Sequence, residues 1–159
     1  MKKVMAIGEL LIDFVPQQKG CALDEVTHFE RVAGGAPANV AAAVARLGGT
    51  AGMISQVGED AFGTHILKVL QSNGVDTGNV FRTGKANTGL AFVSLDASGN
   101  REFSFFRNPS ADLFCVKNRS RPPCLRTARH CISVQWTWWT GRSRQRIAGR
   151  SAWRRKLAR

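Results

Sequence analysis

Three groups of residues in this chain could do chemistry. The run Gly34-Gly35-Ala36-Pro37-Ala38-Asn39 opens with paired glycines, which let a backbone come closer to a ligand than any Cβ would permit. Asn39, one turn into the segment that follows, both donates and accepts hydrogen bonds. A polyol needs partners of that bifunctional kind. The same run also reads as a tight strand-to-helix turn with a surface Asn. Asp13 closes an apolar run, either inward or at a strand end, and a solvated acid is the common fate of a lone Asp there. The third group is Cys115, Cys124 and Cys131, with His130 beside the last. Their spacing contains no Cys-x-x-Cys pair, so it does not describe a zinc site, and free thiols in a reducing compartment are the better reading.

The elements that must carry these residues follow from apolar period and punctuation. Residues 3–8 (KVMAIG) form a short apolar run ending in Gly, as a buried strand does, and residues 9–14 (ELLIDF) continue extended. Residues 16–31 contain Pro16 and Gly20 and read as a loop or hairpin. Residues 40–47 (VAAAVARL) form an Ala-rich helix, with Pro37 suited to its first turn and Gly48-Gly49 stopping it. Residues 50–57 return as a strand, and a second helix runs from Gly58-Glu59-Asp60 to about Asn73, capped by Gly74. Strand, helix, strand, helix is the order of a parallel sheet covered by helices. Residues 88–106 differ: two extended runs flank Ala97-Ser98-Gly99-Asn100, which predicts an antiparallel hairpin, usually an edge insertion or a lid.

Charge divides the chain sharply. Over 159 residues the net charge is +12, yet the first 114 residues carry 10 basic and 11 acidic side chains, while residues 115–159 carry 13 basic and no acidic ones. All four Trp lie in the second part and 14 of the 16 Gly in the first. The expected division is therefore 1–114 as the folded part and 115–159 as a basic segment. No run of about 20 apolar residues is present, so no membrane span is expected. The acids Glu9 and Asp13 interrupt the N-terminal apolar stretch and exclude a signal peptide, leaving the cytoplasm as the expected compartment.

Five blocks in the first part resemble, in order, the pfkB or ribokinase-like carbohydrate kinases. They are Gly8-Glu9-Leu10-Leu11-Ile12-Asp13, the Gly34 to Gly49 segment, Gln56-Val57-Gly58-Glu59-Asp60-Ala61-Phe62-Gly63, Gly74-Val75-Asp76-Thr77, and Thr88-Gly89-Leu90-Ala91-Phe92-Val93. The run Phe105-Phe106-Arg107-Asn108-Pro109-Ser110-Ala111-Asp112 is similar to the fructokinase branch. The resemblance implies an α/β fold, a ribokinase-like Rossmann-type sheet with a β-hairpin lid, here truncated. It implies a small sugar as substrate, fructose or a related keto sugar, with a sugar acid such as 2-keto-3-deoxygluconate as the alternative. ATP and Mg²⁺ serve the family, and the lid often pairs two subunits into a homodimer. Asp13 and Asn39 would hold sugar hydroxyls, Gly34 and Gly35 would give close backbone approach, and Arg107 would sit near the sugar or on the lid surface. An ionised carboxylate at Asp13 can accept from both hydroxyls of a diol.

Phosphoryl transfer needs an anion cradle and a base on the attacking hydroxyl. In this family both come from a later Gly-rich Asp motif at a helix N-terminus. No acid follows Asp112, so that motif and its base are absent, and no catalytic residue is assigned. Codon degeneracy offers a cause. Read from the third base of each codon, Gln135-Trp136-Thr137-Trp138-Trp139 gives Val or Met, then Asp, then Leu, Met or Val, then Val, then Asp. Ile132-Ser133-Val134 can give Phe-Gly-Ser before it, and Lys117-Asn118 can give Glu-Glu. The expectation is a frameshift near Phe114, with the remainder not natively folded and the chain inactive and poorly soluble. Two alternatives remain. One is a non-catalytic sugar-binding or dimerising fragment. The other is a basic-tailed nucleic-acid-binding protein, although charge alone gives only non-specific binding and the basic residues form no helical stripe.

Overall fold

Short apolar runs become the centre of a parallel sheet because both of their faces are covered. In the computed structural model, which describes residues 3–18, 20–95, 101–114 and 130–133, β1 (Val4–Ile7) lies beside β4 (Ala51–Gly58). β4 has Met53 and Val57 fully buried and is apolar along most of its length, the composition of a strand packed on both sides. The sheet order is β5-β4-β1-β8, all parallel, with β5 at Asp76–Thr83 and β8 at His130–Ser133. The helices α1 (Ala36–Arg46) and α2 (Ala61–Ser72) supply Ala38, Ala41, Ile66 and Leu70 to the core beneath it. Their spacing of three and four residues places each pair on one helix face.

A second sheet has the order β3-β2-β6-β7, with β2 at Leu11–Pro16, β3 at Phe29–Gly34, β6 at Gly89–Leu95 and β7 at Arg101–Phe106. β2 runs antiparallel to β3 and parallel to β6, and β6 runs antiparallel to β7. Phe14, Phe29, Phe92 and Phe106 pack edge to face or stacked across one side of this sheet. Phe14 also meets Phe62 of α2 edge-on at 5.9 Å, which ties the sheet to the body.

The ribokinase-like α/β architecture expected from the motifs is present, and the lid is wider than the expected hairpin. Residues 9–14 do not simply extend β1. The chain leaves the first sheet after Ile7, and β2 joins the lid, carrying Asp13 with it. The segment read as a loop or hairpin over 16–31 is a hairpin whose return strand continues to Gly34. β6 and β7 pair as the hairpin reading requires, while the turn expected at 97–100 lies outside the described residues. β5 carries no strand signal in the sequence because it is an edge strand with a polar, half-exposed sequence and no apolar run. Of the basic segment, one four-residue strand is described, β8, in parallel register with β1 from Val4↔His130 to Ile7↔Ser133. Cys115, Cys124 and the four Trp lie outside the described residues. Among the described residues, no helix is long and apolar enough to cross a membrane.

Candidate functional site

Asp13 sits mid-strand in β2, opposite Val32 of β3 and Ala91 of β6. A Cβ built on Gly34 would stand 2.2 Å from Asp13 Oδ2, so the carboxylate occupies the space that a side chain at position 34 would take. Gly35 has φ +112°, a conformation L residues rarely adopt, and its Cβ would lie 2.5 Å from the backbone oxygen of Glu9. The two glycines thus serve different needs. Gly34 makes room for a side chain, and Gly35 lets β3 turn into α1 against the β1–β2 link. Asn39 is exposed in the first turn of α1, where its N–H donates to the Gly35 oxygen at 3.0 Å. Asp13, Gly34, Gly35 and Asn39 therefore belong to one β2–β3–α1 corner.

Arg107 reaches the same side of the lid from the other end. Register pairs Leu11 with Gly34 and with Gly89, and pairs Asp13 with Ala91 and, through it, with Phe105. Residues paired across strands share a face, and so do residues two apart along one strand. Arg107, one residue past β7, lies over Gly89, its Cγ 3.1 Å from where a Cβ on Gly89 would be. Asp13 and Arg107 thus share a face, separated by two strand spacings, about 10 Å across the sheet. Arg107 Nη2 donates to Asp112 Oδ2, and the Ser110 hydroxyl donates to Asp112 Oδ1. Asp112 follows Ala111, whose N–H donates to the Asn87 oxygen at 2.8 Å and docks the segment on the body.

Neither helix N-terminus is free to take a phosphate. The Glu9 carboxylate, 7% exposed, accepts from the Ala36 N–H at the start of α1 at 3.3 Å. Asp60 caps α2, Oδ1 accepting from the Gly63 N–H at 2.7 Å and from the Thr88 hydroxyl at 2.8 Å, while Oδ2 accepts from the Thr88 N–H at 2.7 Å. A helix start attracts anions through its unpaired N–H groups and dipole, but a carboxylate already there repels a second anion. Among the described residues the fit to ATP phosphates therefore fails at both helices. The Gly58–Gly63 block works as a structural knot joining α2 to the lid strand β6.

Sequence reading missed Glu9, Gly89 and Asp112 at this site. Glu9 gave no signal, because its partner lies 27 residues away in the chain. The Arg107–Asp112 pair did leave one, opposite charges flanking a short Pro-containing turn.

Comparison with known proteins is consistent across sequence and fold. A family profile described as "pfkB family carbohydrate kinase" matches residues 1–119. The chain is 54% identical over 110 residues to Fructokinase-1 from Oryza sativa subsp. japonica, covering 69% of this chain and 34% of that protein. Among solved structures it is similar to a fructokinase from Xylella fastidiosa, with 46% identity and a TM-score of 0.63, over 70% of this chain and 34% of the other. It is also similar to a sugar kinase from Pyrococcus horikoshii in complex with ATP, with 39% identity and a TM-score of 0.65, over 69% and 35% of the two chains. The chain thus spans about a third of the length of these relatives.

Proposed function

The chain belongs to the pfkB family of carbohydrate kinases, and from that premise we propose that residues 1–114 are the sugar-binding part and lid of a fructokinase-type enzyme. The parent reaction moves the γ-phosphoryl group of ATP to a primary hydroxyl of fructose, with a related keto sugar or sugar acid as the other substrate choice. The observation that carries this reading is the Asp13 carboxylate seated against Gly34, on the same lid face as Arg107. A carboxylate accepts from two neighbouring hydroxyls, and a guanidinium donates to hydroxyl oxygens, so together they complement a polyol. Asn39 adds a donor and an acceptor at the edge of the corner, and Gly34 and Gly35 allow the close backbone approach.

The phosphoryl-transfer half is not part of this chain. No acid after Asp112 is available as a base, and the helix starts at α1 and α2 are occupied by Glu9 and Asp60. The chain binds sugar without turning it over, since the described helix starts offer no free cradle for the ATP phosphates. The codon pattern beyond Phe114 supports a frameshift as the origin of the basic segment. Exposed Phe103 and Phe105, stacked at 5.7 Å on the lid, favour pairing of two lids in a homodimer.

Calorimetric titration of the full chain with fructose tests the sugar reading. Saturable binding that Asp13→Ala weakens at least about tenfold supports it, the loss expected for removing a charged hydrogen-bond partner. Equal affinity in the two proteins would refute it.

A further inference from the structure

Fructose carries no charge and a sugar acid carries one, so the charges around the site discriminate between the two substrate choices. Arg107 is a cation on the Asp13 face, and its charge is already matched. Its Nη2 donates to Asp112 Oδ2, and the pair is enclosed, with 3% of the Asp112 side chain and 20% of the Arg107 side chain exposed. The other Asp112 oxygen accepts from the hydroxyl of Ser110, which is itself buried. Gly89 lets the group pack this closely, since a Cβ there would stand 3.1 Å from Arg107 Cγ and 3.3 Å from Ser110 Cβ. Water screens an enclosed pair poorly, so each charge is felt chiefly by its partner.

The other described cations around the lid are placed elsewhere. Arg31 pairs with Phe14 across β2 and β3, which puts it on the opposite face from Asp13 and Val32. Arg82 Nη2 donates to the Thr64 hydroxyl and to the Asp60 backbone oxygen at the start of α2. Lys85 is exposed in the turn before β6. Arg101 pairs with Leu95, four residues along β7 from Phe105 and so about 13 Å away. Acids are nearer. Asp13 lies on the face, and the Glu9 carboxylate sits at the start of α1. An ionised carboxylate only accepts hydrogen bonds, so Asp13 suits hydroxyl donors and offers nothing to a second carboxylate.

We propose that Asp112 sets the substrate class of this site: by neutralising Arg107 it denies a sugar acid a counter-ion, so that the site takes an uncharged keto sugar. The proposal rests on the reading of the Asp13 face as a sugar site. Removing one member of a buried ion pair leaves the other charge uncompensated. A guanidinium released in this way is a ready partner for a ligand carboxylate, which it can hold by two parallel hydrogen bonds. Asp112 therefore acts through the charge of Arg107, and selectivity requires no contact between Arg107 and the sugar in the wild type.

Parallel calorimetric titrations of the full chain with fructose and with 2-keto-3-deoxygluconate test this. The wild type should favour fructose over the acid by at least about tenfold. Asp112→Asn should bind the acid at least about tenfold more tightly than the wild type does, and added potassium chloride should weaken that binding. Arg107→Gln combined with Asp112→Asn removes both charges and should lose the gain again, which a merely structural role for Asp112 would not produce. Asp112→Ser also removes the charge while keeping a polar partner for Ser110, and it serves if Asp112→Asn does not fold. A wild type that binds the acid as tightly as fructose, or a charge-removing Asp112 variant with unchanged preference, overturns the proposal and leaves the sugar site in place. Fructose binding that is absent from the wild type, or indifferent to Asp13→Ala, overturns the sugar reading and this proposal with it.

Discussion

Gly34 and Asp13 fit together only because position 34 lacks a side chain: a Cβ there would stand 2.2 Å from Asp13 Oδ2. The overlap is with the end of a side chain rather than with backbone, so Gly34→Ala should fold with Asp13 displaced. The expected cost is about 1–3 kcal/mol of stability and at least a tenfold loss of fructose affinity. Adding Asp13→Ala removes the obstruction, so the double variant should regain stability without regaining affinity. Urea denaturation and calorimetry of the two single variants and the double variant check this, and strictly additive stability losses would contradict it.

Gly35 presents the opposite case. Its φ of +112° and the Glu9 backbone oxygen, 2.5 Å from a Cβ at that position, leave nothing flexible to yield. Gly35→Ala should cost about 3 kcal/mol or more, combining backbone strain with overlap. The urea midpoint should drop with the slope unchanged. A variant as stable as Gly34→Ala would show that the β3–α1 turn can rearrange.

Stability should also report on Asp60. Burial pushes its pKa up, but donors from Thr88 and Gly63 outweigh that and hold it below the ordinary 3.8. A carboxyl whose folded pKa is depressed contributes stability that is fully present above pH 3.8 and is lost as pH falls through the folded value. Asp60→Asn keeps a capping oxygen but sets an amide NH₂ against the Thr88 N–H, so it should be less stable than wild type at pH 7, and the gap should close below pH 3.8. Asp76, lowered by the Lys3 hydrogen bond, titrates in the same window in both proteins and cancels from the difference. A gap independent of pH would contradict the capping role.

Much of the fold was legible because its signals are local. The Ala-rich α1, with Pro37 near its start and glycines after it, and the apolar β1 and β4 follow from period and punctuation. The glycine pair and Asp13 were legible as residues but not as partners. Their contact depends on β2 leaving the first sheet to pair antiparallel with β3, a long-range choice that no window of sequence contains. The same holds for Glu9 at the start of α1 and for Gly89 beneath Arg107, where a glycine in a strand signals close approach without saying of what. β5 escaped because an edge strand need not be apolar.

The basic segment should bind nucleic acid through charge alone. With 13 positive side chains and no acid over residues 115–159, affinity for a single-stranded homopolymer should fall linearly in log–log form as salt rises. Fluorescence anisotropy at several salt concentrations measures the slope. A marked preference for one base, or binding that persists at high salt, would contradict a purely electrostatic origin.

We propose that this chain carries the sugar side of a kinase without its phosphoryl-transfer side. Fructose-dependent release of ADP from ATP and Mg²⁺, measured for the full chain beside Asp13→Ala, tests it most directly. No release above the Asp13→Ala background is expected, even at fructose concentrations that saturate binding. Turnover that Asp13→Ala abolishes would contradict it and place a working base and anion site within these 159 residues.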